Sequence, residues 1–260
     1  MANLIDIITR SITDFFTYSD NNNNNNKTIV GVPTHIAFVM DGNRRWAKKR
    51  GMGIIKGHYN GARNVTRIIT KCNEIGVKYV TLYAFSKHNW KRDSKEVSDL
   101  MNLFGSSISN IGRVCQKYNT RFRLMGEREG LPQALVKKIN DIEALTVNNN
   151  KMTVCVAMNY SGRGEIVSAC RKMNKYLSQN SYNDEDIDEN FFRGFMYLPD
   201  VPDPDLVIRT SGEFRTSDFM NWQISQSELY FTNTLWPDFD ENELVKAIYE
   251  FNGRERRLGK

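Results

Sequence analysis

Seven consecutive residues, Met40-Asp41-Gly42-Asn43-Arg44-Arg45-Trp46, carry the densest chemistry in the chain. They follow a short apolar run, Ile36-Ala37-Phe38-Val39-Met40, set between Pro33 and Gly42, which reads as a fully buried strand. In an open parallel sheet, ligands gather just beyond the carboxyl ends of the strands. Gly42 lets a backbone approach closely, and the N-terminus of a following helix aims N–H groups at an anion. Arg44 and Arg45 add charge and forked donors suited to phosphate. Asp41 is the odd member. A carboxylate beside a phosphate is repulsive unless a divalent cation lies between them, and Mg²⁺ is often held by one or two carboxylates plus substrate phosphates. The plainer reading is a strand-to-helix turn capped by an Asp.

The same pattern recurs twice. Tyr79-Val80-Thr81-Leu82-Tyr83-Ala84-Phe85 ends in Ser86-Lys87-His88-Asn89-Trp90-Lys91-Arg92. Leu206-Val207-Ile208 ends in Arg209-Thr210-Ser211-Gly212-Glu213-Phe214-Arg215-Thr216-Ser217. Parallel strands present their carboxyl ends along one edge, so the three loops are expected to converge. Their pooled inventory is Arg44, Arg45, Arg92, Arg209 and Arg215, with Ser86, Ser217, Asn43 and Asn89, and Asp41 as the acid. That much positive charge suits two diphosphates better than one phosphate. The glycine-rich signatures of nucleotide sites, Gly-x-x-x-x-Gly-Lys-Ser/Thr and Gly-x-Gly-x-x-Gly, do not occur, so a nucleotide is not implied.

The elements that must position these residues follow from pattern. The chain has 260 residues, 40% of them hydrophobic, enough for one large α/β domain or two small ones. Further strands are expected at residues 121–125, 152–158 and 228–231, and helices at 61–75, from 95 onward, 132–145, after Gly164, 221–226 and 241–251. Alternating strands and helices predict an α/β fold: a mostly parallel central sheet of about six strands, flanked by helices. The second of these helices contains Gly105-Ser106-Ser107-Ile108-Ser109-Asn110-Ile111-Gly112, poor helix formers that predict a kink or loosened turns. Residues 1–31 form an N-terminal amphipathic segment, with Ile5, Ile8, Ile12 and Phe16 near helical spacing, and a linker containing six consecutive asparagines. The folded domain is placed at 32–260. The N-terminal segment is read as a docked helix, with a peripheral membrane contact as the alternative.

The net charge of +6 (36 basic, 30 acidic) admits nucleic acid, acidic lipid or phosphorylated substrates without choosing among them. The cysteines are far apart, and Cys72, Cys155 and Cys170 fall in apolar periodic segments, which predicts buried thiols in a reducing compartment. The triplets at Asn64 and Asn159 match the glycosylation pattern and are taken as chance. The expected location is the cytoplasm or a membrane periphery, or an organelle if a transit peptide has been removed.

At this level the chain resembles the cis-prenyltransferases, the undecaprenyl and dehydrodolichyl diphosphate synthases, over about residues 33–260. The resemblance rests on His35 to His58 around the Asp41 motif, on Tyr83-Ala84-Phe85-Ser86, Asn89-Trp90, Arg92 and Glu96-Val97, on Pro202-Asp203-Pro204-Asp205 running through Arg209 to Glu213, on Arg215 and Ser217, and on Glu228-Leu229-Tyr230-Phe231 and Trp236-Pro237-Asp238-Phe239. It implies a Mg²⁺-dependent dimeric enzyme, most simply a homodimer, that condenses isopentenyl diphosphate with an allylic diphosphate (farnesyl, geranyl or dimethylallyl) and leaves a cis double bond. By the family pattern Asp41 binds the metal and promotes loss of the allylic diphosphate, and Glu228 helps place the metal, across the dimer interface in one arrangement. Gly42, Asn43, Arg44, Arg45 and Trp46, with Arg92, belong to the allylic site, and His58 matches a substrate-site position near the metal, with a structural role as the alternative. Arg209, Arg215 and Ser217 hold isopentenyl diphosphate, and Arg257 and Gly259 of the tail complete the isopentenyl site of the partner protomer. Ser86, Asn89 and Trp90 lie on a mobile loop near the reacting carbons, and an apolar tunnel runs beside the sheet, for which Phe38, Ala84, Phe85, Leu100 and Leu103 are plausible lining.

Two positions depart from the family. Ile54 stands where an arginine commonly touches the diphosphate, with Lys49 or Lys56 as substitutes, and His88 stands where an acid is usual. These departures keep a short-chain or irregular coupling enzyme as the alternative to a medium or long polyprenyl synthase. A non-catalytic subunit typically loses the metal Asp and the loop arginines, which this chain keeps. A nucleic-acid binder calls for exposed aromatics among its basic residues rather than arginines focused on one acid at strand ends. A phosphoryl-transfer enzyme calls for a nucleophile and a second carboxylate cluster, and the sequence offers neither.

Overall fold

The computed structural model describes residues 31–181 and 183–255. The N-terminal amphipathic segment, most of the linker, Arg257 and Gly259 lie outside the described residues. The sheet has six strands in the order β3-β4-β2-β1-β5-β6: β1 His35–Val39, β2 Tyr79–Ser86, β3 Thr120–Met125, β4 Met152–Tyr160, β5 Leu206–Arg209 and β6 Glu228–Phe231. Every pairing is parallel. The helices are α1 Asn43–Lys49, α2 Ile54–Ile75, α3 Ser94–Lys117, α4 Gln133–Leu145, α5 Gly162–Leu177, α6 Glu189–Arg193 and α7 Glu241–Gly253.

The topology chooses the site. From β1 the chain adds β2, β4 and β3 on one side, and later β5 and β6 on the other. The winding therefore reverses beside β1, and the crevice of a doubly wound sheet opens at such a switch point. Val39 at the end of β1 pairs with Arg209 at the end of β5, so both functional strand ends flank that crevice. Strands β1 and β5 are buried along their whole length, which is why they read as unbroken apolar runs. One face of the sheet gathers Ala37, Val39, Ala157, Val207 and Phe219. On the other, Phe38 packs against Trp236 and Phe239, with ring centroids 6.0 and 6.3 Å apart.

Three expectations are corrected. Helix α3 runs unbroken for 24 residues through the Gly/Ser stretch. The hydroxyls of Ser106 and Ser107 donate to the Leu103 carbonyl and that of Ser109 to the Gly105 carbonyl, so they bond within the helix instead of pulling it open. Gly112 is small because a Cβ there would meet Ile142 Cδ1 of α4 at 2.9 Å. Residues 221–226 form turns, not a helix. Ser217, Asp218 and Met220 carry φ of 55°, 64° and 50°, and Asp218 accepts from the Asn221 side chain at 2.8 Å, which ties the chain into a turn where a helix would start. Cys170 is exposed while Cys72, Cys115 and Cys155 are buried. Gly162, Glu165 and Ala169 form the buried stripe of α5, and Cys170 falls beside it. The chance reading of the glycosylation triplets agrees with the burial of Asn64 and Asn159.

Candidate active site

Asp41 lies two residues past the end of β1. Its backbone N–H donates to Thr210 Oγ1 at 3.0 Å, and its carbonyl accepts from that hydroxyl at 2.7 Å and from the Trp236 N–H at 3.0 Å. Two segments distant in sequence thus pin one residue. Gly42 then turns the chain with φ of 109°, and a Cβ there would sit 2.9 Å from Leu235 Cδ2, so both conformation and space require glycine. Helix α2 presses onto this turn. A Cβ on Gly57 would lie 2.0 Å from the Asn43 carbonyl oxygen, and one on Gly61 would lie 2.2 Å from Asn43 Oδ1.

The carboxylate of Asp41 faces the arginines. Arg209, buried to 4% exposure, donates from Nη2 to Asp41 Oδ2 at 2.9 Å. Its Nη1 donates to Ser217 Oγ at 2.6 Å and to the Arg215 carbonyl at 2.5 Å. Its Nε is buried without an acceptor among the described residues. Arg45 lies 3.6 Å from Asp41 Oδ2 and is steadied by Ser211 and, at 3.1 Å, by Glu213. The other carboxylate oxygen accepts from the Gly42 N–H at 2.6 Å. Arg215 is paired with Glu213 on the outer side of the same loop.

The β2 end is organised by a reciprocal cap. Asn89 N–H donates to Ser86 Oγ at 3.2 Å, and Ser86 N–H donates to Asn89 Oδ1 at 3.0 Å, closing the short 3₁₀ turn Lys87–Lys91. Past it, Glu96 on α3 collects three bases: Arg92 at 3.2 Å, His58 at 3.5 Å and Arg44 at 3.8 Å. Burial holds the His58 pKa below its ordinary value, the Arg92 and Arg44 charges add to this, and Glu96 opposes it. Burial also pushes the Tyr83 hydroxyl, at the edge of the site, up to about 12, so it stays neutral.

Two adjoining spaces share Met40, Asp41, Asn43, His58 and Arg92. One is an open groove of about 780 Å³ bounded by Gly42, Arg44, Arg45, Lys48 and Ile54. The other is a cavity of about 680 Å³. Its mouth carries Ser86, Asn89, Arg209, Arg215 and Ser217, and its interior is walled by Leu82, Phe85, Leu100, Leu103, Phe104 and Ile108. A charged entrance therefore opens onto an apolar chamber between the sheet and helices α2 and α3.

Most of the expected residues meet there, and four do not. Trp46 is buried in a cluster with Ala47 and Leu235, and its Nε1–H donates to Asp238 at 2.7 Å, so it anchors α1 and lines neither space. Trp90 stands edge-on to Phe85 at 5.1 Å and donates to Asn159 at 2.8 Å, buttressing a cavity residue from outside. Phe38, offered as lining, packs instead in the core against Trp236 and Phe239. Glu228 opens β6, opposite Leu206, with its carboxylate on Arg254 at 2.7 Å. That is three residues, or about 10 Å of strand, from Arg209, at the far end of the sheet from Asp41. Neither Lys49 nor Lys56 lines the groove beside Ile54; Lys48 does. Glu96, Glu213 and Asp218 are site residues to which the sequence attached no role. Glu96 and Glu213 stood inside quoted motifs, and only their neighbours in space reveal what they hold. Asp218 accepts from Ser161 Oγ at 2.6 Å and from the Arg163 N–H at 2.9 Å, locking the Arg215 loop to the start of α5.

A parallel sheet whose strand ends set one carboxylate among arginines, over an apolar chamber, defines an α/β enzyme for substrates that are phosphorylated at one end and apolar at the other. The family model described as putative undecaprenyl diphosphate synthase matches residues 39–259. An isoprenyl transferase of Fusobacterium nucleatum subsp. nucleatum is 49% identical over 88% of this chain and 96% of its own length. A ditrans,polycis-undecaprenyl-diphosphate synthase of Vibrio cholerae, (2E,6E)-farnesyl-diphosphate specific, is 43% identical over 88% of this chain and 91% of its own. Among solved structures, lavandulyl diphosphate synthase from Lavandula x intermedia, in complex with dimethylallyl diphosphate, superposes with a TM-score of 0.84 at 34% identity, covering 88% of this chain and 98% of that one. A probable undecaprenyl diphosphate synthase from Campylobacter jejuni gives 0.72 at 29% identity, covering 89% and 100%. The chain belongs to the undecaprenyl diphosphate synthase family, the cis-prenyltransferases, and is a prenyltransferase.

Proposed function

We propose that this enzyme condenses isopentenyl diphosphate with an allylic diphosphate (farnesyl, geranyl or dimethylallyl) to form a cis polyprenyl diphosphate, with Mg²⁺ and as a homodimer. The observation that carries the reading is the place of Asp41: beside Arg209 and Arg45, where the charged groove meets the apolar cavity. In the reaction, the allylic C1–O bond breaks and its electron pair leaves with the diphosphate. The double-bond electrons of isopentenyl diphosphate form the new C–C bond to C1. A proton then leaves the adjacent carbon, and the departing diphosphate is assigned as its acceptor.

The chain's own groups serve these steps. Gly42, Asn43, Arg44, Arg45 and Arg92 bound the groove that receives the allylic diphosphate, and fixed guanidinium groups there stabilise the charge that develops as it departs. Arg209, Arg215 and Ser217 at the cavity mouth receive the isopentenyl diphosphate, for which Arg209 Nε is a donor still lacking an acceptor. The apolar interior is read as the tunnel that receives the growing chain and keeps water from the allylic centre. No group of three or more His, Cys, Asp or Glu is arranged for a metal among the described residues. Asp41 alone fits the mode in which Mg²⁺ is shared between one carboxylate and substrate phosphates, and the ion would supply neutralisation of the leaving diphosphate. Glu228 reaches such a site only from a second protomer. The short-chain or irregular alternative draws on Ile54, which stands exposed on the groove wall where the family commonly carries an arginine.

The test is a product assay: labelled isopentenyl diphosphate, each allylic starter in turn, with Mg²⁺ or with EDTA, and sizing of the dephosphorylated prenols. A Mg²⁺-dependent ladder of cis-extended prenols is expected. Asp41→Ala should lower turnover by at least about 10²-fold, the scale for removing one electrostatic partner of a transition state. Full turnover by that variant would overturn the metal-assisted reading. A single short or branched product would establish the alternative.

A further inference from the structure

The connection between α1 and α2 is built unlike the rest of the surface. Residues 48–56, Lys-Lys-Arg-Gly-Met-Gly-Ile-Ile-Lys, are exposed without interruption. Met52, Ile54 and Ile55 are 46%, 41% and 38% exposed, and Tyr59, one turn further along α2, is 56% exposed. The run holds four cations and no carboxylate. Arg50 is held by Asp238 at 3.1 Å and lies over the Trp46 ring. Lys48, Lys49 and Lys56 make no ion pair among the described residues. Added Cβ atoms on Gly51 and Gly53 would meet nothing within 4 Å, so no packed neighbour covers the tip.

Single exposed apolar side chains need no explanation, but large ones grouped and ringed by charge mark an interaction site. The charge pattern selects the occupant. An apolar tip flanked by unpaired lysines matches the interfacial zone of an anionic bilayer, where aliphatic side chains enter the acyl boundary and lysines reach back to the phosphates. We infer that this loop docks the enzyme on an anionic lipid surface. Met52, Gly53 and Ile54 of the same loop also border the open groove that contains Asp41. Docking therefore sets the groove at the lipid boundary, where a substrate with a phosphorylated head and an apolar tail passes in or out. That consequence rests on the proposed reaction; the docking itself does not.

The test uses the full chain and reads binding, not turnover, so its failure is separate from failure of the proposed chemistry. Protein is sedimented with vesicles of phosphatidylcholine alone or mixed with phosphatidylglycerol. The variant carries Lys49→Glu, Ile55→Ser and Lys56→Glu, none of which lines the groove, and its fold is checked by thermal melting. Wild type should sediment with the mixed vesicles and be released by salt, and the variant should lose on the order of tenfold or more in partitioning. Equal binding by the variant, or no wild-type binding to mixed vesicles, overturns the inference. A second measurement places an environment-sensitive label at Ile55→Cys in a Cys170→Ser background, because Cys170 is exposed. A blue shift with mixed vesicles supports docking. No shift, or a shift that follows protein concentration without lipid and so reports a second copy on this face, overturns it.

Discussion

Glu96 shows how much of this site is held by a residue that never needs to touch the reacting carbons. It is 13% exposed and stands between Arg92, His58 and Arg44, so one carboxylate keeps three bases from repelling one another. Arg44 and Arg92 both border the groove proposed for the allylic diphosphate, so their aim depends on Glu96. Removing one member of a partly buried charged network leaves the others without a partner, which costs more than the pair contributes. Glu96→Gln should raise KM for the allylic diphosphate by about tenfold, the equivalent of roughly 1.4 kcal/mol, while kcat changes less, and Glu96→Asp should recover part of it. The pH profile separates this role from general destabilisation. The neighbouring carboxylate raises the His58 pKa against burial, so Glu96→Gln should move an acid-side inflection to lower pH. Steady-state kinetics across pH check both; a loss confined to kcat with an unmoved profile would refute the assignment.

At the scale of elements, the sheet's joints are more exposed to acid than its apolar strands suggest. His35 opens β1 with no exposed surface. Its Nδ1 lies 2.7 Å from the Pro202 carbonyl and its Nε2 2.8 Å from Thr81 Oγ1 on β2. A carbonyl only accepts, so Nδ1 carries the proton and Nε2 accepts from the hydroxyl. Burial lowers the His35 pKa to about 4. The unfolded chain takes up this proton below about 6.5 while the folded chain resists it, so stability falls as pH drops from about 6.5 towards 4, by about 3 kcal/mol over the whole window. Urea unfolding at pH 7 and pH 4.5 should show a wild-type loss that His35→Gln largely removes, and parallel losses would disprove it. Such joints explain what the sequence makes legible. Strands β1 and β5, buried on both faces, announce themselves as apolar runs, and parallel pairing then brings Asp41 and Arg209 together. Pattern fails where side chains bond locally. In α3 the Ser hydroxyls bond to carbonyls of the preceding turn and the helix runs on through residues that predict a kink, and the positive φ angles at Ser217, Asp218 and Met220 turn the chain at residues 221–226. Trp46 lies within the site motif yet points into the core, because one side of a seven-residue helix must be buried.

Across the whole molecule, the arrangement runs from wet to dry, and its far wall is thin. A surface hollow of about 290 Å³ lies between α2 and α3, bordered by Tyr59, Arg63, Ser106 and Asn110. It shares Ala62, Leu103 and Ser107 with the main cavity, so a single layer of side chains, two of them small, separates the apolar chamber from the outside. A product chain extending from the Asp41 mouth meets this layer after filling the chamber. Filling the layer should stop the chain early, and thinning it should let the chain pass between the helices. Ala62→Leu is therefore expected to shift the product distribution towards shorter prenols, and Leu103→Ala towards longer ones, with the starter preference unchanged because neither residue borders the diphosphate groove. Leu103→Ala also removes a buried leucine, at a cost of about 2–5 kcal/mol, so both variants are assayed below their own melting transitions. Prenol sizing by reversed-phase chromatography reads the result. Opposite shifts from the two substitutions would establish that the α2–α3 wall sets chain length, whereas an unchanged distribution from both would place the ruler elsewhere in the cavity.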